Sequence, residues 1–362
     1  LAMPIRALVV DDAVVMRRMI GAALATDADI EVVGVAAHGR IALQLVSQLA
    51  PDVITLDVEM PELDGVSTVR ELRRSGCRTP VIMCSALTTT GAEATLDALA
   101  AGANDWIAKP AQSGSMAEGV ARLAAELLPR IRVLVRSGAP AREPSSAPTP
   151  LVRPRVAPAR VAPTVAPGLL VIATSTGGPN ALADLFQALP RPLPIPVMIV
   201  QHMPPVFTKS LADRLGRDSA HRFHEAEAGQ VLRAGDVYIA PGGRHMEVER
   251  VGAQMQVALH DGPPENSCRP AADVLLRSAA RTMGPQLLAC VLTGMGHDGL
   301  RGCEQVRASG GQVLAQDERT SVVWGMPGAV VNAGLAHEVL ALGDLAGAIA
   351  RRASPLPLSA TG

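Results

Sequence analysis

The sequence predicts two α/β domains, each a doubly wound parallel sheet covered by helices. Three observations predict it. Residues 1–125 alternate short apolar runs with amphipathic stretches in five successive βα units, which implies a parallel sheet with helices on both faces. Residues 126–168 break the pattern: from Pro129 to Gly168 nine prolines and seven arginines stand against one acid, Glu143. Such a tract cannot pack a core and favours extended chain, so it is expected to be a linker. Residues 169–352 then resume the alternation, and 353–362 are expected to form a C-terminal tail. With 362 residues there is length for two cores, and with 48% hydrophobic but only 2% aromatic residues those cores must be aliphatic.

In the first domain the expected strands are Ile5–Val10, Glu31–Val35, Val53–Leu56, Val81–Cys84 and Trp106–Ala108. The expected helices are Val14–Ala25, Arg40–Gln48, Val66–Arg74, Ala92–Ala101 and Met116–Leu128. Function in such sheets sits beyond the carboxyl ends of the strands. Strand 1 ends in Asp11 and Asp12, strand 3 in Asp57, strand 4 leads to Ser85, and strand 5 to Lys109, one of only two lysines. Carboxylates converging on one edge repel each other unless a cation sits among them, and oxygen ligands with room for water suit Mg²⁺. The alternative is that these acids merely cap helices, which fits one Asp better than the whole set.

The stretches Val9-Val10-Asp11-Asp12, Leu56-Asp57-Val58-Glu59-Met60-Pro61, Asp64-Gly65, Cys84-Ser85-Ala86 and Ala108-Lys109-Pro110 resemble the receiver domain of response regulators, a flavodoxin-like fold. The resemblance implies that Asp57 accepts a phosphoryl group from a sensor histidine kinase. It also implies that Asp12, Asp57 and the Glu59 backbone carbonyl hold Mg²⁺, with Asp11 assisting through water. Ser85 and Lys109 would sense the phosphoryl group, and Trp106 stands where the family often has an aromatic switch residue.

In the second domain the expected strands are Leu169–Ala173, Val197–Val200, Val237–Ile239, Gln254–Ala258, Leu287–Leu292 and Gln312–Ala315. The expected helices are Ala181–Leu189, Phe207–Arg217, Ala271–Arg281 and Leu300–Ala308. After the first strand, Thr174-Ser175-Thr176-Gly177-Gly178 reads as a tight turn, with Pro179 at a first helical position. That geometry lifts the Ser175 hydroxyl above the sheet edge, beside unpaired N–H groups at a helix start. A Ser/Thr turn that only caps a helix is the plain alternative. His202 follows the second strand, and Asp298 follows Leu287–Leu292 through a glycine-containing loop. If these three strands are neighbours, hydroxyl, imidazole and carboxylate converge as the parts of a nucleophilic triad.

Thr174-Ser175-Thr176-Gly177-Gly178, Gln201-His202-Met203-Pro204, Ala240-Pro241-Gly242-Gly243-Arg244-His245-Met246, Leu292-Thr293-Gly294-Met295-Gly296 with Asp298-Gly299, and Gly325-Met326-Pro327 resemble the catalytic domain of the chemotaxis protein-glutamate methylesterases, the CheB family. This implies a Rossmann-like parallel-sheet esterase domain with Ser175, His202 and Asp298 as triad. The Met295 backbone N–H would be an oxyanion donor, with Thr176 in the same turn. The implied activity is a serine hydrolase that removes methyl groups from glutamate methyl esters on the cytoplasmic domains of methyl-accepting chemoreceptors, releasing methanol. It would also act on receptor glutamines, with no cofactor for the esterase step. A receiver docked over the Ser175 edge would inhibit it until Asp57 is phosphorylated. Two departures stand out: Thr174 occupies a position usually small, and His297 replaces the usual Asn, where it could crowd the triad or compete for Asp298.

Several classes are disfavoured. A net charge of −1 gives no global case for nucleic acid or an anionic membrane, and the second domain offers no basic recognition helix. Thr174–Pro179 lacks the Gly-Lys-Ser/Thr ending of a nucleotide-binding loop. His221 and His224, three apart, would suit one helix face as a metal pair, but a third ligand is missing. Arg244 and His245 could line the substrate edge or simply build their turn. The five cysteines form no CxxC pair and read as buried thiols. No apolar run reaches membrane-spanning length, which predicts a soluble cytoplasmic protein without membrane insertion. The remaining alternative keeps the fold but not the reaction: a non-catalytic receiver-linked phosphoryl sink or signalling-partner binding protein.

Overall fold

A computed structural model describes residues 3–110, 115–138, 165–189 and 192–353. The chain divides into two compact units, 1–138 and 139–362.

The first unit runs β1 (Ile5–Val10), α1 (Val14–Leu24), β2 (Ile30–Ala36), α2 (Gly39–Leu49), β3 (Val53–Asp57), α3 (Gly65–Arg74), β4 (Val81–Ser85), α4 (Thr89–Ala100), β5 (Asp105–Ala108) and α5 (Met116–Gly138). Its strands are all parallel, in the order β2-β1-β3-β4-β5. Every residue of β3 and β4 is buried, as continuous apolar strands between two helical layers should be. The chain leaves β1 first towards β2 and then crosses to β3, so the crevice between β1 and β3 is the switch point.

Helix α5 runs ten residues beyond the expected end at Leu128 and carries Pro129 inside it. The residues from 126 to 138, read as linker, are therefore helical. Leu123, Leu127, Ile131 and Leu134 keep helical spacing across the proline and are at most 3% exposed. Arg132 adds an ion pair to Asp27 at 2.6 Å. A continuous buried stripe outweighs the single backbone hydrogen bond that a proline forfeits. The rest of the expected linker up to residue 164 and the tail beyond Ala353 lie outside the described residues.

The second unit runs β6 (Leu169–Thr174), α6 (Gly178–Ala188), β7 (Val197–Gln201), α7 (Phe207–Asp218), β8 (Arg222–Glu225), β9 (Asp236–Ile239), β10 (His245–Val251), β11 (Gln254–His260), α8 (Ala272–Met283), β12 (Leu287–Val291), α9 (Leu300–Ala308), β13 (Gln312–Gln316), α10 (Met326–Asn332), β14 (Glu338–Leu340) and α11 (Leu342–Ala353). Seven strands form a parallel sheet in the order β14-β13-β12-β6-β7-β9-β8, while β10 and β11 pair antiparallel in a separate hairpin. Gln254–Ala258 is thus a strand, but of the hairpin rather than the main sheet. β8 and β14 escape a pattern search because they are short edge strands with little apolar burial. His221 and His224 lie just before and within β8, not on a helix. His221 packs edge-on to Phe186, whereas His224 stacks on Tyr238, so they form no metal pair. Among the described residues, no helix is long and apolar enough to cross a membrane.

Candidate functional site

The switch point of the first sheet holds the expected acidic set. Asp11 and Asp57 are buried and Asp12 is exposed. One carboxylate oxygen from each lies within 4.8 Å of the others. The Lys109 ammonium pairs with Asp57 Oδ2 at 2.7 Å and Asp11 Oδ2 at 2.9 Å. Asp12, Asp57, Glu59, Ser85 and Lys109 line one pocket. Burial pushes the Asp57 carboxyl up to about 6, with the Asp11 charge adding to it and Lys109 opposing it. Burial works against the Lys109 ammonium as well, but its two carboxylate partners outweigh that and raise its pKa. The Ser85 hydroxyl donates to the Gly91 carbonyl at 3.0 Å, and Trp106 is buried within β5. An all-oxygen set with surplus negative charge and an open side fits Mg²⁺.

In the second sheet, β12, β6 and β7 are adjacent, so the loops carrying Asp298, Ser175 and His202 leave one edge side by side. β6 is buried along its whole length. Gly177, at φ 78°, turns the chain into α6, whose second residue is Pro179. A Cβ on Gly178 would stand 1.9 Å from Gln201 Oε1 and 2.5 Å from Thr174 Oγ1, so this turn admits no side chain there. Thr174 is fully buried and donates to the Thr293 carbonyl at 2.9 Å. The unusual threonine thereby ties the Ser175 loop to the loop after β12. Ser175 N–H donates to the same carbonyl at 3.1 Å, and Gln201 Nε2 donates to the Ser175 carbonyl at 2.9 Å.

His202 Nε2 and Asp298 Oδ2 are 2.7 Å apart. Asp298 is buried yet surrounded by donors: the Ala272 N–H at 2.6 Å on Oδ2, and Asn266 Nδ2, Asp273 N–H and Gly299 N–H each at 3.0 Å on Oδ1. Burial alone would push this carboxyl up, but His202 and the helix-start amides outweigh it and hold it below the usual range. Burial also disfavours the imidazolium, yet Asp298 and then Cys268 outweigh that and raise the His202 pKa.

Ser175 Oγ makes no hydrogen bond to His202 among the described residues. The imidazole's other nitrogen, Nδ1, instead faces Cys268 Sγ at 3.6 Å. Gly294 packs against Ser175, since a Cβ there would stand 3.0 Å from Ser175 Cβ. The N–H of Met295, the next residue, has no acceptor among the described residues, while Thr176 is buried in the Ser175 turn.

His297 is exposed and is absent from the partners of Asp298, so it neither crowds nor competes for the carboxylate. Arg244 pairs with Asp261 at 3.0 Å. His245 is buried, with Nε2 at 3.0 Å from the Pro263 carbonyl and Nδ1 at 3.3 Å from the Ala271 N–H. Both therefore brace the 259–271 segment. Two residues of that segment that touch Asp298 and His202, Asn266 and Cys268, escaped sequence reasoning. The partial exposure of Cys268, and of Cys77 in the first unit, contradicts their reading as buried thiols. The only cue was an Asn-Ser-Cys stretch without a glycine to mark its turn.

Residues 170–349 match the family model described as CheB methylesterase, and residues 7–121 match that of the response regulator receiver domain. A protein-glutamate methylesterase/protein-glutamine glutaminase from a Nocardioides species is 52% identical over 351 residues, covering 96% of this chain and 95% of that protein. One of the same name from Trichodesmium erythraeum is 47% identical, covering 96% and 98%. The crystal structure of the Thermotoga maritima CheB methylesterase catalytic domain aligns with a TM-score of 0.50 at 40% identity, covering 52% of this chain and 99% of that one.

Proposed function

The chain belongs to the CheB family of receiver-linked protein-glutamate methylesterases, and from that premise we propose that Ser175, His202 and Asp298 carry its hydrolytic reaction. The enzyme removes methyl groups from glutamate methyl esters of chemoreceptors in chemotaxis adaptation, and its relatives' names extend the activity to glutamine side chains.

The observation that carries the triad is the 2.7 Å contact between His202 and a buried Asp298 on the sheet edge that also bears Ser175. Asp298 holds Nε2–H, so Nδ1 is the nitrogen left to accept the Ser175 proton. The Ser175–His202 hydrogen bond forms as substrate binds, since such bonds are often loose before then. Ser175 Oγ attacks the ester carbonyl, its proton passes to His202, and the imidazolium returns it to the departing methoxide as methanol. Water then attacks the acyl-enzyme by the same relay and restores the carboxylate. The unpaired Met295 N–H, with the Thr176 turn beside it, stabilises the oxyanion in both steps.

In the receiver, Asp57 accepts a phosphoryl group from a sensor histidine kinase, and Ser85 and Lys109 contact it. Mg²⁺ would be held by Asp11, Asp12, Asp57 and the Glu59 carbonyl. When bound, it supplies the positive charge that offsets the incoming phosphoryl oxygens. Phosphorylation raises the esterase rate by relieving inhibition exerted by the receiver. The substrate is the cytoplasmic region of a methyl-accepting receptor, so the enzyme works in the cytoplasm and needs neither membrane insertion nor nucleic acid.

The test is methanol release from a methylated receptor cytoplasmic fragment, before and after Mg²⁺ and a small phosphodonor. Release should rise with the phosphodonor, should vanish in Ser175→Ala, and should be phosphodonor-independent in a chain beginning at Leu169. Release that persists in Ser175→Ala would overturn the triad.

A further inference from the structure

Two cysteines are only partly buried, Cys77 in the receiver and Cys268 beside His202, and the hydrolytic reaction uses neither. Cys84, Cys290 and Cys303 are buried in the two cores with their thiols pushed far up by burial, whereas Cys268 is partly exposed. Its sulfur lies 3.6 Å from His202 Nδ1, and ligand atoms of His202, Cys268 and Asp298 all lie within 4.8 Å of one another. We propose that Cys268 Sγ and His202 Nδ1 form a binding site for Zn²⁺ or a similarly thiophilic divalent cation, whose occupation switches the esterase off.

The distance suits the ion. Zinc bonds of about 2.3 Å to sulfur and about 2.0–2.1 Å to nitrogen, at a tetrahedral angle, span an S···N edge of about 3.6 Å. Thiolate with imidazole is the donor pair that selects zinc over Mg²⁺. The carboxylate is already placed: Asp298 holds Nε2, the nitrogen opposite the metal, as carboxylates behind zinc-bound histidines do.

The turn presenting Cys268 is also fixed. Glu265 and Cys268 exchange backbone hydrogen bonds of 3.1 and 2.8 Å across Asn266 and Ser267, both in the left-handed region. Asn266 anchors that turn to Asp298. Binding displaces the thiol proton to solvent and leaves two coordination positions for water. It also occupies the lone pair that must take the Ser175 proton, so the inhibitory effect rests on the triad reading above.

The experiment uses the full chain with Mg²⁺ saturating the receiver. Co²⁺ added as a zinc surrogate should give a sulfur-to-cobalt charge-transfer band that Cys268→Ala and Cys268→Ser both lack. Zinc at about ten times its Kd should slow methanol release about tenfold, a chelator should restore it, and the two variants should keep their own zinc-free rates in zinc. No cobalt band, a band that survives in the variants, or equal zinc inhibition of all three proteins would overturn the proposal. If the esterase itself proved inactive, the cobalt band would still decide the site, and the triad reading alone would fall.

Discussion

Replacing Asp57 by Asn should stabilise the receiver domain in metal-free buffer at neutral pH. Asp57 is 3% exposed and its carboxyl is pushed up to about 6 from an ordinary 3.8. The folded domain therefore binds the proton more tightly than the unfolded chain. With a raised carboxyl pKa, stability is greatest below pH 3.8 and falls as pH rises towards 6, where the folded state must hold the charge. That fall is at most roughly 3 kcal/mol at 1.36 kcal/mol per pKa unit. An asparagine side chain imitates the neutral acid, and Lys109 keeps Asp11 at 2.9 Å as its partner. In calorimetry of the full chain, the transition whose midpoint Mg²⁺ raises belongs to the receiver. The Asp57→Asn substitution should move that transition up by several degrees at about pH 7.5. The gap should close towards about pH 4, and should narrow when Mg²⁺ offsets the charge in the parent. A receiver transition that is unchanged or lower in the variant at neutral pH would refute the reasoning, because the buried charge would then cost nothing.

The esterase should lose activity as pH falls, with a midpoint above the ordinary histidine value near 6.5, because Asp298 and Cys268 favour the imidazolium that cannot accept a proton. Asp298→Asn should move that midpoint down in a kcat profile and lower kcat by about 10⁴. Gly178→Ala drives a methyl to within 1.9 Å of Gln201 Oε1; it should lower the catalytic-domain unfolding free energy by about 1–3 kcal/mol in denaturant titration. Thr174→Val removes the buried donor to the Thr293 carbonyl, and the same titration should show a loss of about 1–3 kcal/mol.

The fold was legible where burial imposes a pattern. β3, β4, β6 and β12 are buried on both faces, so their apolar runs stand out between helices. It was illegible at sheet edges, where β8 is four residues with Phe223 as its only apolar one, and at Pro129, where tertiary packing on Leu127 and Ile131 overrides a local helix breaker. The candidate site residues could be named because parallel sheets gather polar side chains at the carboxyl ends of their strands. Their orientation could not: whether Ser175 or Cys268 faces His202 depends on a loop 66 residues further along the chain. His245 stayed open in the sequence because a histidine in a glycine-rich turn can serve a substrate or a neighbouring loop, and its two backbone partners appear only in the fold.

Asp298 joins two things that most enzymes keep apart. Its carboxylate receives the Ala272 and Asp273 amides at the first turn of α8, and the same carboxylate steadies His202. Fraying of that turn and loosening of the His202–Asp298 pair are therefore one event with one free energy. Hydrogen–deuterium exchange at those two amides would accordingly count the molecules in which the carboxylate behind His202 is in place, in a resting sample with neither substrate nor turnover.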